Sequence, residues 1–182
     1  AMAALSKTKN GDIISALKLT PKYCAKAQAD RFKKPIEVMV REAELKEATV
    51  INVLEAEGID HPWTFDAIKE LINDENKVAL VACDKNTNEV LGYIGASWVL
   101  DEAEVGNLCV FGKYRRIGVA TKIIEAFLKF MKDKGITKVF LEVNHDNYKA
   151  IALYEKMGFE SYGSRKDYYG QGKDADLYKI EL

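Results

Sequence analysis

Apolar and polar positions follow two different periods along most of this chain. Short apolar runs bounded by turn-forming residues predict strands, whereas apolar residues that recur every three to four positions predict helices. Strands are predicted at residues 36–40, 78–83, 90–100, 104–111, 138–143, 159–165 and 175–182. Helices are predicted at residues 41–57, 65–72, 116–134 and 147–157. The first helix places one face at Leu45, Ala48, Thr49, Asn52, Val53 and Ala56.

The connections between the strands predict the type of sheet. Residues 84–88 and a turn at 101–102 join three neighbouring strands through hairpin-like links, so these strands should be antiparallel. The strand at 138–143 instead follows a long helix and is almost wholly apolar, which is typical of a strand covered on both faces. We therefore expect an α/β (α+β) fold with a single mixed, mostly antiparallel central sheet of about seven strands, flanked by helices.

Residues 1–35 differ in pattern from the rest of the chain. Ala1–Ala3 is expected to be a cloning remnant ahead of the native start. Residues 12–19 and 21–32 have the spacing of two short amphipathic helices. We interpret residues 1–35 as an N-terminal extension and residues 36–182 as the functional domain.

Composition and charge narrow the class of protein. A chain of 182 residues fits one domain, and its net charge of -1 disfavours a general nucleic-acid binder, which is usually basic. No apolar run has the length of a membrane helix. The three cysteines are odd in number and widely spaced, which suits a reducing compartment and gives no metal-ligand pattern. We expect a cytoplasmic protein that needs no metal.

The most informative local pattern is a basic loop that joins a strand directly to a helix. The loop is Arg115-Arg116-Ile117-Gly118-Val119-Ala120. Free amides and the dipole at a helix start favour an anion, glycine lets the backbone approach it, and arginines pair with phosphate oxygens. A Walker loop is excluded because no Gly-Lys-Ser or Gly-Lys-Thr follows, and a single glycine makes a poor dinucleotide fingerprint. On the residues alone, a solvated basic turn fits equally well.

Two further residues attract interest on chemical grounds. Glu142 is the only charge in the apolar run 139–143. A carboxylate in such a strand either pairs with a cation or has a raised pKa, and a raised pKa suits a general base. Tyr154 lies on the next helix, where a tyrosine is most often a core residue. On the residues alone, structural roles for both stay open.

The loop and its flanking elements resemble the acetyl-coenzyme A (acetyl-CoA) loop of the GCN5-related N-acetyltransferases. The shared motif is Arg-x-x-Gly-x-Ala between an apolar strand and an amphipathic helix, with Ala120 where many members have a second glycine. The resemblance implies that the loop amides bind the cofactor pyrophosphate and that the preceding strand holds the pantetheine and the thioester carbonyl. The implied cofactor-binding residues are Leu108, Cys109, Val110, Arg115, Arg116, Ile117, Gly118, Val119, Ala120, Thr121 and Asn147.

Residues 141–159 are similar to the Leu-Glu-Val…Asn…Ala…Leu-Tyr…Gly-Phe signature of the ribosomal-protein-alanine N-acetyltransferases. In that subfamily the glutamate is the base and the helix tyrosine the acid, which assigns these roles to Glu142 and Tyr154. The His-Pro-Trp loop and the Arg-x-x-Tyr-Tyr stretch resemble loops that flank the peptide entrance. The implied substrate-wall residues are Trp63, Tyr168 and Tyr169.

Three departures from the subfamily pattern leave the peptide preference open, namely Asn144, Asp146 and Tyr178. The expected reaction is direct attack of a protein α-amine on the thioester in a ternary complex, with backbone N–H groups near Cys109 and Val110 binding the oxyanion. Cys109 as an acetylated nucleophile and His145 as a proton relay are the alternative chemistries considered. The alternative functions are transfer to a small amine (polyamine, aminoglycoside) or a lysine side chain, and non-catalytic acyl-CoA binding.

Overall fold

The structure of the protein, a computed structural model, describes residues 35–182. The two helices predicted at residues 12–19 and 21–32 lie outside the described residues, and the boundary between residues 35 and 36 stays a prediction. The strands are β1 Val38–Glu42, β2 Lys77–Asp84, β3 Val90–Val99, β4 Glu102–Val110, β5 Lys138–Asn144, β6 Glu160–Arg165 and β7 Ala175–Glu181. The α-helices in this part of the chain are α1 Ala48–Gly58, α2 Phe65–Asn73, α3 Val119–Asp133 and α4 Tyr148–Lys156.

The seven strands form one sheet in the order β1-β2-β3-β4-β5-β7-β6. Neighbours are antiparallel except β4 and β5, which are parallel because α3 crosses between them. The predicted mixed, mostly antiparallel sheet is therefore confirmed. Its single parallel pair lies at the centre of the sheet.

Helices cover the two faces of the sheet unequally. On one face, α3 buries Ile123, Ile124 and Phe127 against strand residues that include Val105 and Leu141. On the other face, α1 and α2 pack on β2, β3 and β4. Side chains of β5 alternate between buried and half-buried, so the predicted burial of both faces of this strand is wrong for one face. That half-buried face carries Phe140 and Glu142 and remains open to a groove.

The first predicted helix begins later, and buries a different face, than its pattern suggested. β1 continues through Glu42, and Arg41 then makes a two-pronged ion pair with Glu47 at 2.7 and 2.8 Å. The Glu47 side chain also accepts from the Glu44 N–H, which completes a short 3₁₀ turn before α1. The helix buries Ala48, Ile51, Leu54 and Glu55, whereas the predicted face left Val53 46% exposed.

The long helix also begins later than predicted, at Val119 instead of residue 116. Arg116 and Gly118 have φ angles of 68° and 86°, and this left-handed backbone cannot continue into an α-helix. The hairpin turn between β3 and β4 falls at residues 100–101, one position before its predicted place. Among residues 35–182, no helix combines the length and the apolar character needed to cross a membrane.

Candidate active site

A gap opens in the sheet where β4 and β5 stop pairing. Their register runs from the pair Glu102–Lys138 to the pair Val105–Leu141. The β3–β4 register shifts between Gly95 and Ala96, which leaves Gly106 as an extra residue, a β-bulge. A bulge bends its strand, so β4 turns away from β5 at this point. Beyond the bulge, β4 borders a gap whose other side begins at Glu142.

Backbone groups of β4 point into this gap. The Phe111 N–H donates to the Leu91 oxygen of β3 at 3.0 Å. Because N–H and C=O groups alternate in direction along a strand, those of Cys109 face β3 and those of Leu108 and Val110 face the gap. Of the two oxyanion donors expected from sequence, the Val110 N–H therefore points into the gap and the Cys109 N–H does not.

The indole of Trp63 packs on the bulge. A Cβ at Gly106 would lie 2.6 Å from the Trp63 Cη2 atom, and a Cβ at Gly95 would lie 3.3 Å from the same ring. Glycine at position 106 is thus required by the close approach of the indole. Trp63, predicted as a substrate wall, lies at the edge of the gap on the face of α1 and α2.

The loop before α3 forms a concave row of backbone amides. Its left-handed residues are Arg116 and Gly118, and the first intrahelical bond runs from the Lys122 N–H to the Gly118 oxygen at 3.1 Å. The amides of Val119 to Thr121 consequently have no helical acceptor. A loop with such amides at the start of a 15-residue helix is suited to bind a phosphate group. The space beside Gly118 is open, so its left-handed φ is what requires glycine there.

The two arginines of this loop point in different directions. The Arg115 Nε donates to the Val110 oxygen at 2.9 Å, and its Nη2 would lie 3.8 Å from a Cβ at Gly58, at the C-terminus of α1. Arg115 thus braces the end of β4 against α1. Arg116 and Ile117 are exposed beside the amide row. Phosphate binding by the arginine side chains stays a prediction, and Arg116 is the better placed of the two.

Glu142 is the first residue of β5 beyond the region paired with β4, and its side chain is 13% exposed. Its Oε1 lies 2.6 Å from the Arg165 Nη1, so this carboxylate is paired with a cation. A side-chain hydrogen bond with Glu142 also raises the pKa of Tyr168. Arg165 in turn lies over the Tyr168 ring, 5.6 Å from its centroid. Residues of β6 and of the β6–β7 connection therefore converge on the predicted base.

Tyr154, the predicted acid, is buried and stays protonated at neutral pH. Its ring packs edge-on against Phe159, with centroids 5.8 Å apart. Burial raises the pKa of Tyr154 strongly, and the neighbouring Tyr169 and Cys109 raise it further. Burial also raises the pKa of Tyr169, with a further contribution from Glu142. The structure thus brings Glu142, Tyr154 and Tyr169 into one electrostatic neighbourhood.

The remaining candidates have other surroundings. Burial raises the pKa of the Cys109 thiol to about 12, so almost no thiolate is present near neutrality, which disfavours the nucleophilic alternative. His145 is exposed and pairs with Asp176 at 2.9 Å, an interaction that raises the pKa of the imidazole. The Asn147 side chain accepts from the Ala150 N–H at 3.3 Å and caps α4.

Three residues near the gap were given no site role from sequence, although Arg165 begins the Arg-x-x-Tyr-Tyr stretch. Arg165 pairs with Glu142, while Glu55 and Asn107 form a buried hydrogen-bonded pair on the Trp63 side. Sequence could have identified Glu55, which follows Leu54 and lies four residues after Ile51 on the buried helix face. A charge on an apolar stripe calls for a partner.

A groove of about 390 Å³ leads from Glu142 along the open face of the sheet to the β3–β4 turn. Its lining includes the carboxylates of Asp101, Glu102 and Glu104, and the rings of Phe140 and Tyr162, which stack edge-on at 5.8 Å. Of the groove's lining residues, Arg165 is the cationic one. The carboxylates of Asp101, Glu102 and Glu104 therefore make the groove acidic.

Comparison with known proteins gives consistent matches. The model of the Acetyltransferase (GNAT) family matches residues 40–159. The chain is 30% identical over 145 residues to a Bacillus subtilis protein provisionally named a ribosomal protein bS18-alanine N-acetyltransferase, a match that covers 79% of this chain and 95% of that protein.

An archaeal protein and a plant structure match as well. Over 103 residues the chain is 39% identical to an N-alpha-acetyltransferase of Saccharolobus solfataricus, covering 50% of this chain and 62% of the relative. The crystal structure of Arabidopsis thaliana NAA60 in complex with acetyl-CoA aligns with a TM-score of 0.72 at 18% identity, over 80% of this chain and 99% of the other. At this identity, the match to the NAA60 structure shows a shared fold.

Proposed function

The chain belongs to the acetyltransferase (GNAT) family, and on this basis we propose that it transfers the acetyl group of acetyl-CoA to the α-amine of a protein N-terminus. The observation that carries the proposal is the gap between β4 and β5, which begins at Glu142. It is supported by the buried Tyr154, whose pKa is raised in part by Cys109 of β4. The domain that does this is proposed to span residues 36–182, with residues 1–35 as an extension.

The donor side of the gap fits acetyl-CoA. The amides of Val119, Ala120 and Thr121, together with the exposed Arg116, would hold the pyrophosphate. The backbone groups of Leu108 would pair with the pantetheine as a missing strand would, because β4 has turned away from β5. The Val110 oxygen already accepts from Arg115, so Val110 would contribute its N–H, toward the thioester carbonyl. Asn147, at the start of α4, is a further proposed contact. When bound, acetyl-CoA supplies the activated acetyl group as a thioester.

Two side chains at the gap are proposed to transfer protons in the reaction. In the proposed reaction a carbon–nitrogen bond forms between the amine and the acetyl carbonyl as the carbon–sulfur bond breaks. Glu142 accepts the proton of the amine, and Tyr154, held protonated by burial, supplies a proton to the leaving thiolate. The Val110 N–H is proposed to bind the oxyanion. Arg165 is more than half exposed, so water can solvate its guanidinium when a substrate amine takes its place beside Glu142.

The proposed acceptor class is supported by the name of a relative and by aromatic side chains beside the gap. The match covers 95% of the Bacillus relative and 79% of this chain, and that relative is provisionally named a ribosomal protein bS18-alanine N-acetyltransferase. Trp63 on one side of the gap and Tyr168 and Tyr169 on the other are proposed to enclose the first residues of a peptide. Two of the three cysteines are buried and unpaired in the described residues, which supports a reducing, cytoplasmic setting.

A second acceptor class is favoured by one specific observation. The groove beside Glu142 carries Asp101, Glu102 and Glu104, and a row of carboxylates attracts a polyamine such as spermidine. Glu102 is already within 3.5 Å of the Lys138 Nζ, which reduces its capacity for a ligand cation. N-terminal acetylation remains the leading proposal because the groove also suits a peptide with basic residues after its α-amine.

The test is an acetyl-transfer assay on peptides that differ in the first residue, with spermidine and free lysine alongside. We expect turnover on peptide α-amines and none on the same peptides with a blocked N-terminus and an internal lysine. Turnover confined to spermidine would establish the second class and exclude the first. Acetyl-CoA binding without turnover on any amine would exclude both and favour a binding module.

A further inference from the structure

Glu55 is a fully buried carboxyl group outside the set of residues that the proposed reaction uses. It lies on α1 at 0% exposure, next to the apolar side chains of Leu54 and Ile51. Within residues 35–182 no lysine, arginine or histidine forms an ion pair with it. A buried carboxyl group is costly unless hydrogen bonds compensate for lost water. Its retention therefore points to a specific set of donors.

Those donors come from three different elements. The Glu55 Oε2 accepts from the Trp63 N–H at 2.9 Å and from the Asn107 Nδ2 at 3.0 Å. The Oε1 accepts from the same Asn107 amide at 2.8 Å and from the Tyr93 hydroxyl. One carboxyl group thus joins the α1–α2 loop, β3 and β4. All three donors are fixed relative to one another through it.

Two of the three donors flank the gap. Asn107 directly follows the bulge at Gly106 and precedes Leu108, whose backbone faces the gap. The Trp63 indole packs over the same bulge. A shift of the Glu55 carboxyl group would therefore move the bulge and the wall that stands on it together. The amide row at the start of α3 has no hydrogen bond to this network.

We propose that Glu55 is a positioning residue for the acceptor: it fixes the Trp63 wall and the Asn107 segment of β4, and so sets the acceptor side of the gap. The inference rests on the proposed acetyl transfer but not on the identity of the amine. The proposal applies to Glu55 and not to Glu47, the other buried glutamate of this region. The Glu47 side chain is bound to Arg41 and to the Glu44 N–H and makes no hydrogen bond to Trp63 or Asn107.

Glu55→Gln tests this role with little change in volume. A glutamine has one acceptor oxygen and one NH₂ group. Its NH₂ either faces the Trp63 N–H, whose bond is then lost, or faces Tyr93 and Asn107, whose hydroxyl and amide must then reverse to accept. Either arrangement changes the contacts that position the Trp63 wall and the Asn107 segment. Misplacement of a reacting group by about 1 Å costs on the order of 100-fold in rate. We expect KM for the acceptor to rise about tenfold or more, and the Kd for acetyl-CoA, which is also proposed to contact the adjacent Leu108, to rise by less than the acceptor KM.

The experiment compares wild type, Glu55→Gln and the matched control Glu47→Gln. For each, KM and kcat are measured on whichever amine the wild type acetylates, acetyl-CoA binding by calorimetry, and Tm by thermal unfolding. The expected result is a raised acceptor KM for Glu55→Gln alone. A lowered Tm for both variants with wild-type kinetic constants per folded molecule would overturn the proposal. An equal loss of acetyl-CoA affinity would also overturn it.

A second variant keeps the proposal testable if Glu55→Gln does not fold. Tyr93→Phe retains the carboxyl group and removes one of its donors, and we expect it to raise the acceptor KM several-fold; an unchanged KM would overturn the positioning role. In a double-mutant cycle with Trp63→Leu, the effects on acceptor KM should be non-additive, because both changes act on one wall. Failure of the proposed function has a separate signature, since it appears in the acceptor profile of the wild type itself.

Discussion

Gly106→Ala provides a direct test of the geometry at the gap. The added Cβ would lie 2.6 Å from the Trp63 Cη2 atom, whereas carbon atoms in contact are separated by about 3.5–4.0 Å. The indole must therefore move by about 1 Å or the bulge must open. Overpacking of this kind costs about 1–3 kcal/mol of unfolding free energy. We expect a lower Tm together with a raised acceptor KM.

The magnitude in the assay follows from the same displacement. A wall shifted by about 1 Å lowers kcat/KM for the acceptor on the order of 10–100-fold, whereas acetyl-CoA affinity should fall less, because the amide row at α3 lies outside the altered contact. Gly163→Ala is the matched control, because a Cβ there would lie 3.6 Å from the Leu177 Cδ1 atom, an ordinary contact. Steady-state kinetics on both variants, with calorimetric acetyl-CoA titration, separates the two sides of the site.

Relief of the overlap provides a stricter check. If the indole is what the new methyl group strikes, Trp63→Leu combined with Gly106→Ala should recover the Tm lost in the single variant. Wild-type Tm and wild-type acceptor KM in Gly106→Ala would refute the reasoning, since the ring could not then lie against the bulge. A Tm loss that Trp63→Leu leaves unrelieved would place the strain elsewhere in β4.

Three further predictions concern titrating groups. Glu142→Gln should lower kcat by about 10²–10⁴-fold without changing acetyl-CoA binding, and retention of the full rate and of the acid limb of the pH profile would exclude Glu142 as the base. Tyr154→Phe should lower kcat with a stable fold, and in wild type no loss of rate from ionisation of this phenol is expected up to about pH 10, because burial raises its pKa. Burial also raises the pKa of Glu55, so at intermediate pH the folded state binds more protons than the unfolded state. The free energy of unfolding therefore falls as the pH rises from the unfolded-state pKa of this group through its folded-state pKa. Glu55→Gln should lack this fall when Tm is measured as a function of pH.

Elements of the sheet could be predicted from sequence because their signals are local. β2 and β3, for example, are apolar runs bounded by turn residues, and the short link between them predicts that they pair antiparallel. The first helix was harder, since the ion pair of Arg41 with Glu47 extends β1 and delays the helix start. With the start misplaced, the wrong face was assigned to the core, and Glu55 was missed. Glu55 is recognisable as a charge on an apolar helix face only when Ile51 and Leu54 are identified as that face.

The parts of the candidate site that are formed by backbone groups could be predicted from sequence. A glycine before a helix indicates free amides whatever the neighbouring side chains, which is why the loop at Gly118 could be found by pattern. The direction of Arg115 could not, because it depends on the Val110 oxygen and on the end of α1, a contact that local sequence does not encode. The pairing of Glu142 with Arg165 likewise joins residues of β5 and β6 that are not adjacent in the sheet.

This difference between backbone and side-chain recognition also bears on acceptor preference. Of the three departures from the subfamily pattern, Tyr178 is 4% exposed, pairs with Leu141 on the α3 face and donates to Glu155 at 3.0 Å. It therefore belongs to the core and has no route to the acceptor. The Asn144 side chain accepts from the Asp146 N–H at 2.9 Å, so these two residues shape the turn into α4. Under the proposed function, acceptor preference would then depend on the Trp63 wall, the Arg165–Tyr168 pair over Glu142 and the carboxylates of the groove.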